Sequence, residues 1–162
     1  MSVAIVYLSG KGWVAERAAE LSGLITDDVT LINLKDRSAG QVDLLAFDRV
    51  VILGAVRMGR FPGKLKRYCF KNEALLLKKK ISFAYACLEE DEGKKNAYLL
   101  SAFPPSLVKG AFAKVWIGGR IRLSDYGWIQ QKMLAPLVKD DVIEKKLSEN
   151  IEVLAGMINE KL

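Results

Sequence analysis

The chain has 162 residues, 51% of them hydrophobic, with a formal net charge of +6 and a sequence pI near 9.3. That length suits one domain spanning residues 1–162, and a mean hydropathy of +0.12 supplies enough apolar matter for a core while excluding disorder. With no histidine anywhere, imidazole acid–base catalysis and most zinc sites are excluded, and any redox chemistry must come from a cofactor.

The chain opens on an apolar, β-branched run, residues 2–8, which reads as a first strand rather than a signal peptide. Further strand-like runs cover 29–34, 49–53, 81–87 and 114–117, short and nearly continuous in apolar residues, as in a sheet covered on both faces. Helical spacing recurs between them. Val14, Ala18, Leu21 and Leu24 mark a helix over 12–24, and Leu65, Tyr68, Cys69 and Leu76 mark one opening at Pro62. Lys78–Lys80 close that second helix, where cations oppose the dipole. The spacing predicts a helix over 96–103, stopped by Pro104-Pro105, and a terminal helix over 141–162 with Ile143, Leu147, Ile151, Leu154 and Ile158 as its stripe. Residues 35–47 read mostly as loop. Cys69 and Cys87 sit in apolar runs without metal spacing and are expected as reduced core thiols of a cytoplasmic protein. No apolar run approaches the ~20 residues of a membrane-spanning helix.

Alternating strands and helices imply a doubly wound α/β fold with a five-stranded parallel sheet. The order is either 2-1-3-4-5 or that of a truncated dinucleotide fold, and the strand ends decide between them. The first strand runs into Ser9-Gly10-Lys11-Gly12-Trp13-Val14 before a helix, the position where turning backbone amides and the helix dipole cradle a phosphate. An ordinary glycine-rich turn would look the same. The motif is neither G-x-G-x-x-G nor G-x-x-x-x-G-K-[ST]. The third strand, introduced by Phe47-Asp48, ends in Gly54-Ala55 and enters Val56-Arg57-Met58-Gly59-Arg60, where small residues would let a flat ring approach the backbone. Trp13, Phe61, Tyr126 and Trp128 lie near strand ends and could stack on such a ring; Phe61 reads first as a packing residue, and Trp116 as core. Glu89–Glu92 read as a solvated loop or a patch for a partner.

The aromatic–Asp pair, Gly54-Ala55 and the S-x-x-G spacing of Ser9 and Gly12 resemble flavodoxins. The run Gly54–Gly59, with Gly118-Gly119, Arg122, Tyr126 and Trp128, resembles more closely the flavodoxin-like, menaquinone-dependent protoporphyrinogen oxidases. The resemblance covers Ser2 to about Leu134. It implies the 2-1-3-4-5 order and an FMN with its phosphate on 9–14 and its ring between 55–60 and the loop near Leu88 to Gly93, with Leu88 and Glu89 as contacts. It also implies an FMN-dependent oxidoreductase or electron-transfer protein, with a redox partner or a small organic substrate such as a porphyrinogen, and quinone as acceptor. Flavodoxin phosphate loops usually carry hydroxyls where this chain has Lys11 and Val14, and each lost bond to a charged group costs roughly 1.5–3 kcal/mol. A degenerate fold that binds no flavin is therefore the alternative. A phospho-receiver fits poorly, because Ser9 and Gly54-Ala55 stand where it needs carboxylates. The basic charge suggests peripheral contact with anionic membrane; a nucleic acid is not expected.

Overall fold

The computed structural model describes residues 1–9, 12–136 and 142–160. Five strands, β1 (Ser2–Tyr7), β2 (Asp28–Asn33), β3 (Arg49–Ala55), β4 (Lys80–Ala86) and β5 (Ala113–Trp116), form one parallel sheet in the order β2-β1-β3-β4-β5. Helices α1 (Trp13–Leu24) and α7 (Ser148–Asn159) cover one face; α2 (Gly63–Lys71), α3 (Glu73–Leu76), α4 (Glu92–Ala102) and α5 (Pro105–Lys109) cover the other. A second, antiparallel pair, β6 (Gly118–Arg122) with β7 (Val142–Lys146), flanks the segment carrying α6 (Trp128–Leu134).

Side-chain alternation assigns the two cores. Ala4, Val6, Val50, Ile52 and Phe83 face α2–α5, while Val3, Ile5, Val51 and Leu53 face α1 and α7. The central register, Ile5 beside Val51 and Val51 beside Ser82, keeps both faces dry, which is why β3 reads as an unbroken apolar run. Phe103 anchors one core, with Phe61 at 4.9 Å and Phe83 at 5.1 Å between ring centroids. Across the other core α7 is tied down at its end. The buried Arg49 donates to the carbonyls of Ile158 and Glu160, and Asn159 bonds the backbone of Leu24 and Thr26. Cys69 and Cys87 are free and buried, as expected.

Several elements differ from the sequence reading. The terminal helix starts at Ser148, because Val142–Lys146 pair as a strand with Gly118–Arg122, placing Ile143 opposite Ile121. The apolar period ran through a strand as well as a helix. The rest of the expected span, Asp141 and Lys161-Leu162, lies outside the described residues. Helix α4 begins four residues early, at Glu92, where Asp91 caps the Lys94 N–H at 2.9 Å; its charged first turn hid the start. Pro104-Pro105 ends that helix and opens α5, with Pro105 at its first position. The 35–47 connection contains two short 3-10 turns, Arg37–Gln41 and Leu44–Ala46, that bury Ala39 and Leu44. Of the lysine triplet, Lys79 reaches the Leu45 carbonyl at 3.3 Å and Lys80 starts β4. Trp116 is half-buried rather than core, and its ring centre is 3.7 Å from the ammonium group of Lys95 and 4.8 Å from that of Lys145.

Candidate functional site at the carboxyl edge of the sheet

The ends of β1, β3 and β4 open onto a cavity of about 470 Å³, closed from the far side by the β6–α6 segment. That size falls in the usual range for small-molecule sites, roughly 300–1,000 Å³, and the location is the one parallel sheets use for ligands.

The β1 wall starts with Leu8 and Ser9 and continues, after the turn, with Trp13 and Val14. Gly12 stands at φ +90°, a conformation L side chains avoid, although a Cβ there would meet nothing within 4 Å. The backbone angle, not space, requires glycine. The Gly12 N–H donates to Ser9 Oγ at 3.2 Å, and the first helical bond runs from Glu16 N–H to the Gly12 carbonyl at 2.9 Å. The amides of Trp13, Val14 and Ala15 thus precede the first helical bond, and among the described residues no side chain caps this helix start. Trp13 is buried, with Arg17 over its ring at 5.2 Å, and its Nε1 has no hydrogen-bond partner among the described residues. Val14 is buried and offers no hydroxyl. Gly10 and Lys11 lie outside the described residues.

The β3 wall is a tight reversal. Arg57 and Arg60 exchange both backbone bonds, at 2.8 and 3.0 Å, with Met58 at φ 50° and Gly59 at φ 77° between them. Two consecutive positive φ values make this a primed two-residue turn, for which Gly59 is suited and Met58 is strained. Ala55, Val56, Arg57, Met58 and Arg60 line the cavity; Gly59 shapes the turn without lining it. Gly54 serves a different purpose from the one its strand-end position suggested. A Cβ there would come within 2.6 Å of Leu65 and 3.1 Å of Phe61, so the glycine makes room for α2 and its approach.

From β4 the cavity receives Ala86, Cys87 and Leu88. Glu89 does not line it: its Oε1 accepts the N–H groups of Glu90 and Asp91 at 3.1 and 3.0 Å, folding the loop on itself. Glu89–Glu92 are all engaged this way or with lysines. Lys94 faces Glu89 at 3.8 Å, Lys145 meets Glu90 at 2.8 Å, and the buried Lys95 meets Glu92 at 2.7 Å. Burial, the largest cause, raises the Cys87 thiol pKa, so this cavity residue stays protonated at neutral pH.

The last wall is Gly119, Arg120, Ile121, Asp125, Tyr126 and Leu134. Sequence reasoning found Tyr126 but pointed to Arg122, which is exposed, in place of Arg120, which pairs with Asp125 at 3.5 Å. Nothing in the residue types separates the two arginines; strand pairing does. Arg57 sits over Tyr126 at 5.7 Å and joins the β3 turn to this wall. Gly118-Gly119 answer to crowding: a Cβ on Gly118 would lie 1.8 Å from the Lys145 carbonyl oxygen, and one on Gly119 2.7 Å from the Cys87 backbone. Trp128 points away from the cavity and is 69% exposed, and Phe61 is buried against Phe103, so neither stacks on a ligand here.

Residues 4–148 match the family described as Flavodoxin domain. The chain belongs to the flavodoxin family. Among solved structures it is similar to oxidised Flavodoxin 2 from Bacillus cereus, at 18% identity and a TM-score of 0.61 over 98% of this chain and 97% of that one. It is also similar to a Fusobacterium nucleatum flavodoxin bound to flavin mononucleotide, at 13% identity and a TM-score of 0.59 over 97% and 96%. A third is the rubredoxin oxygen:oxidoreductase of Desulfovibrio gigas, at 10% identity and a TM-score of 0.56, where the match covers 96% of this chain but 36% of the larger one. These identities carry the fold and its 2-1-3-4-5 order. No curated protein matches the chain in sequence. Among the described residues no helix is long and apolar enough to cross a membrane, and no cluster of potential ligands for a metal occurs.

Proposed function

We propose that residues 1–162 act as one FMN-binding domain, an oxidoreductase or electron-transfer protein. Its flavin phosphate would sit at the start of α1, and its ring between the β3 turn, Leu88 and the β6–α6 wall. The observation that carries this reading is the meeting, at one sheet edge, of uncapped helix amides with a ligand-sized cavity. A buried Trp13 N–H without a partner adds to it, since leaving such a donor unsatisfied costs about 1–3 kcal/mol and a ligand oxygen at the turn would satisfy it. Bound FMN would supply one- or two-electron transfer; the chain supplies position, exclusion of water and charge.

The charge in the site is cationic. Among the described residues, Arg57, Arg60 and Arg120 line the cavity against a single carboxylate, Asp125. Cations beside a flavin stabilise its reduced anion, which favours two-electron oxidation of an organic substrate over one-electron relay. That preference supports the finer reading, oxidation of a substrate such as a porphyrinogen with quinone as acceptor, together with the resemblance at Gly54–Gly59 and Tyr126. The sequence departure at Val14 favours the opposing reading, a flavin-free binding domain, because the hydroxyl is absent. One spectrum separates them. The purified protein absorbs near ~450 nm when it holds flavin, and a colourless protein that also fails to take up added FMN overturns the proposal. Replacing Gly12 with Val, which cannot hold φ +90°, weakens FMN binding at least about tenfold in a fluorescence titration.

A further inference from the structure

Helix α6 is inside out. Its spacing places Trp128, Ile129, Lys132 and Met133 on one face, and Gln131 and Leu134 on the other. The mixed face is turned inward. Leu134 lines the cavity, and Gln131 Nε2 donates to the Tyr126 carbonyl at 2.7 Å. The apolar face is turned out: Trp128 is 69%, Ile129 57% and Met133 59% exposed. Lys132 lies on the same face with its ammonium 5.1 Å from the Trp128 ring centre. Across the cavity mouth the exposed Met58 continues the apolar character. Single exposed apolar residues need no explanation, but three large ones on one short helix do.

The surrounding charge says what covers them. Arg57 and Arg60 line the cavity and are exposed, and on the wall Arg122 and Lys132 are exposed as well. From Val56 to Asn72 the sequence carries six cations and no carboxylate. From Ala113 to Pro136 Asp125 is the only acid, and it is paired with Arg120. Acids cluster in the Glu89–Glu92 loop, and on the wall the exposed Glu144 of β7 lies opposite Arg120.

We propose that this face docks the protein on an anionic lipid surface. Trp128, Ile129 and Met133 would enter the headgroup–acyl boundary, where tryptophan is favoured, while Lys132, Arg57, Arg60 and Arg122 meet the lipid phosphates and carboxylates. A protein partner's apolar patch would satisfy the three side chains, but it gives no reason for the excess of exposed cations at Arg57, Arg60, Arg122 and Lys132. Docked this way, the cavity mouth opens at the membrane, where apolar substrates concentrate. The proposal does not depend on bound flavin, because Trp128, Ile129, Lys132 and Met133 do not line the cavity, and Arg57 and Arg60 are exposed whether or not it is filled.

The test is sedimentation with vesicles of phosphatidylcholine, with and without phosphatidylserine, using the full chain at low and high salt. The protein pellets with the serine-containing vesicles at low salt, and raised salt weakens the binding. The double variant Trp128→Ser/Met133→Ser binds at least about tenfold more weakly, since two buried apolar side chains are lost. Its thermal melt and its FMN titration match the parent, so failure here is distinct from failure of the flavin reading. No pelleting at low salt, or equal pelleting of the double variant, overturns the proposal. So does a dimer in size-exclusion chromatography that the same substitutions abolish, because a second copy would then be the occupant.

Discussion

The cavity is built from two regions that obey different physics. The body, β1–β5 with α1–α5 and α7, is assembled by burial: Ala4, Val6, Leu65, Leu99 and Phe103 are almost wholly out of water. Among the described residues, the wall formed by β6, α6 and β7 is assembled by hydrogen bonds and ion pairs, and its helix buries no residue. What attaches it to the body is local and polar. The Cys87 N–H donates to the Gly118 carbonyl at 2.7 Å, the Lys145 ammonium lies 4.8 Å from the Trp116 ring centre, and Lys145 pairs with Glu90. A body held by burial sets where the ligand's phosphate and the backbone edge lie. A wall held by polar contacts can open without unfolding the rest, which suits the side through which a ligand enters.

The sharpest way to break this contrast is a pair of substitutions. Phe103→Ala removes the ring that packs on Phe61 and Phe83 and costs global stability about 3–5 kcal/mol. Ile121→Ala, in the wall, removes a half-exposed side chain that lines the cavity; it leaves the unfolding free energy from urea within about 1 kcal/mol of the parent while weakening FMN binding. Urea unfolding and flavin titration of both variants read the two quantities. Equal losses of stability would mean that body and wall fold as one unit.

A smaller effect concerns charge at the join between the regions. Arg57 belongs to the body's β3 turn and reaches the wall at Tyr126. A unit charge about 5 Å from the ring is worth roughly 3 kcal/mol at an effective dielectric of ~20, and exposure of Arg57 reduces this to about 1 kcal/mol. For a two-electron couple that is on the order of 20 mV. Arg57→Ala lowers the flavin midpoint potential by that amount in a dye-coupled reductive titration. An unchanged potential would place the guanidinium's influence on Tyr126 and the wall rather than on the flavin.

The same division governs what could be read from the sequence. All five strands of the parallel sheet were legible, because strands buried on both faces leave continuous apolar runs such as Arg49–Ala55. The turns after β1 and β3 were legible because positive φ demands glycine at 12 and 59. The wall was not. Val142–Lys146 is a strand whose residues are mostly exposed, so it lacks a buried face to set its period, and its apolar residues joined the stripe of the helix that follows. Arg120 and Cys87 entered the cavity unannounced, because a strand pairing and a tight backbone approach at Gly119 bring them there. Glu89 was placed by its proximity to β4, and its carboxylate instead found two amides within its own loop.

The smallest expected effect lies in the attachment of the wall, and its sign follows from one carboxylate. The hydrogen bond from Lys145, and then its charge, hold the Glu90 carboxyl below its ordinary value of 4.5. A carboxylate whose pKa is lower folded than unfolded binds fewer protons in the folded state, so stability rises with pH through that interval. The contribution is fully present above the unfolded value, near neutral pH, and is lost as pH falls from about 4.5 through the folded value. Glu90 is exposed, so water and salt screen most of the effect and the global melt of Glu90→Gln differs little from the parent at pH 7. The wall should feel it more than the body. Amide exchange of β6 and β7 in the parent accelerates as pH falls below about 4.5, after correction for the intrinsic rate, while exchange in β3 does not. In Glu90→Gln that step is absent. A step of equal size in β3 would show that acid loosens the whole molecule, and the wall would then be no more separable than any strand of the sheet.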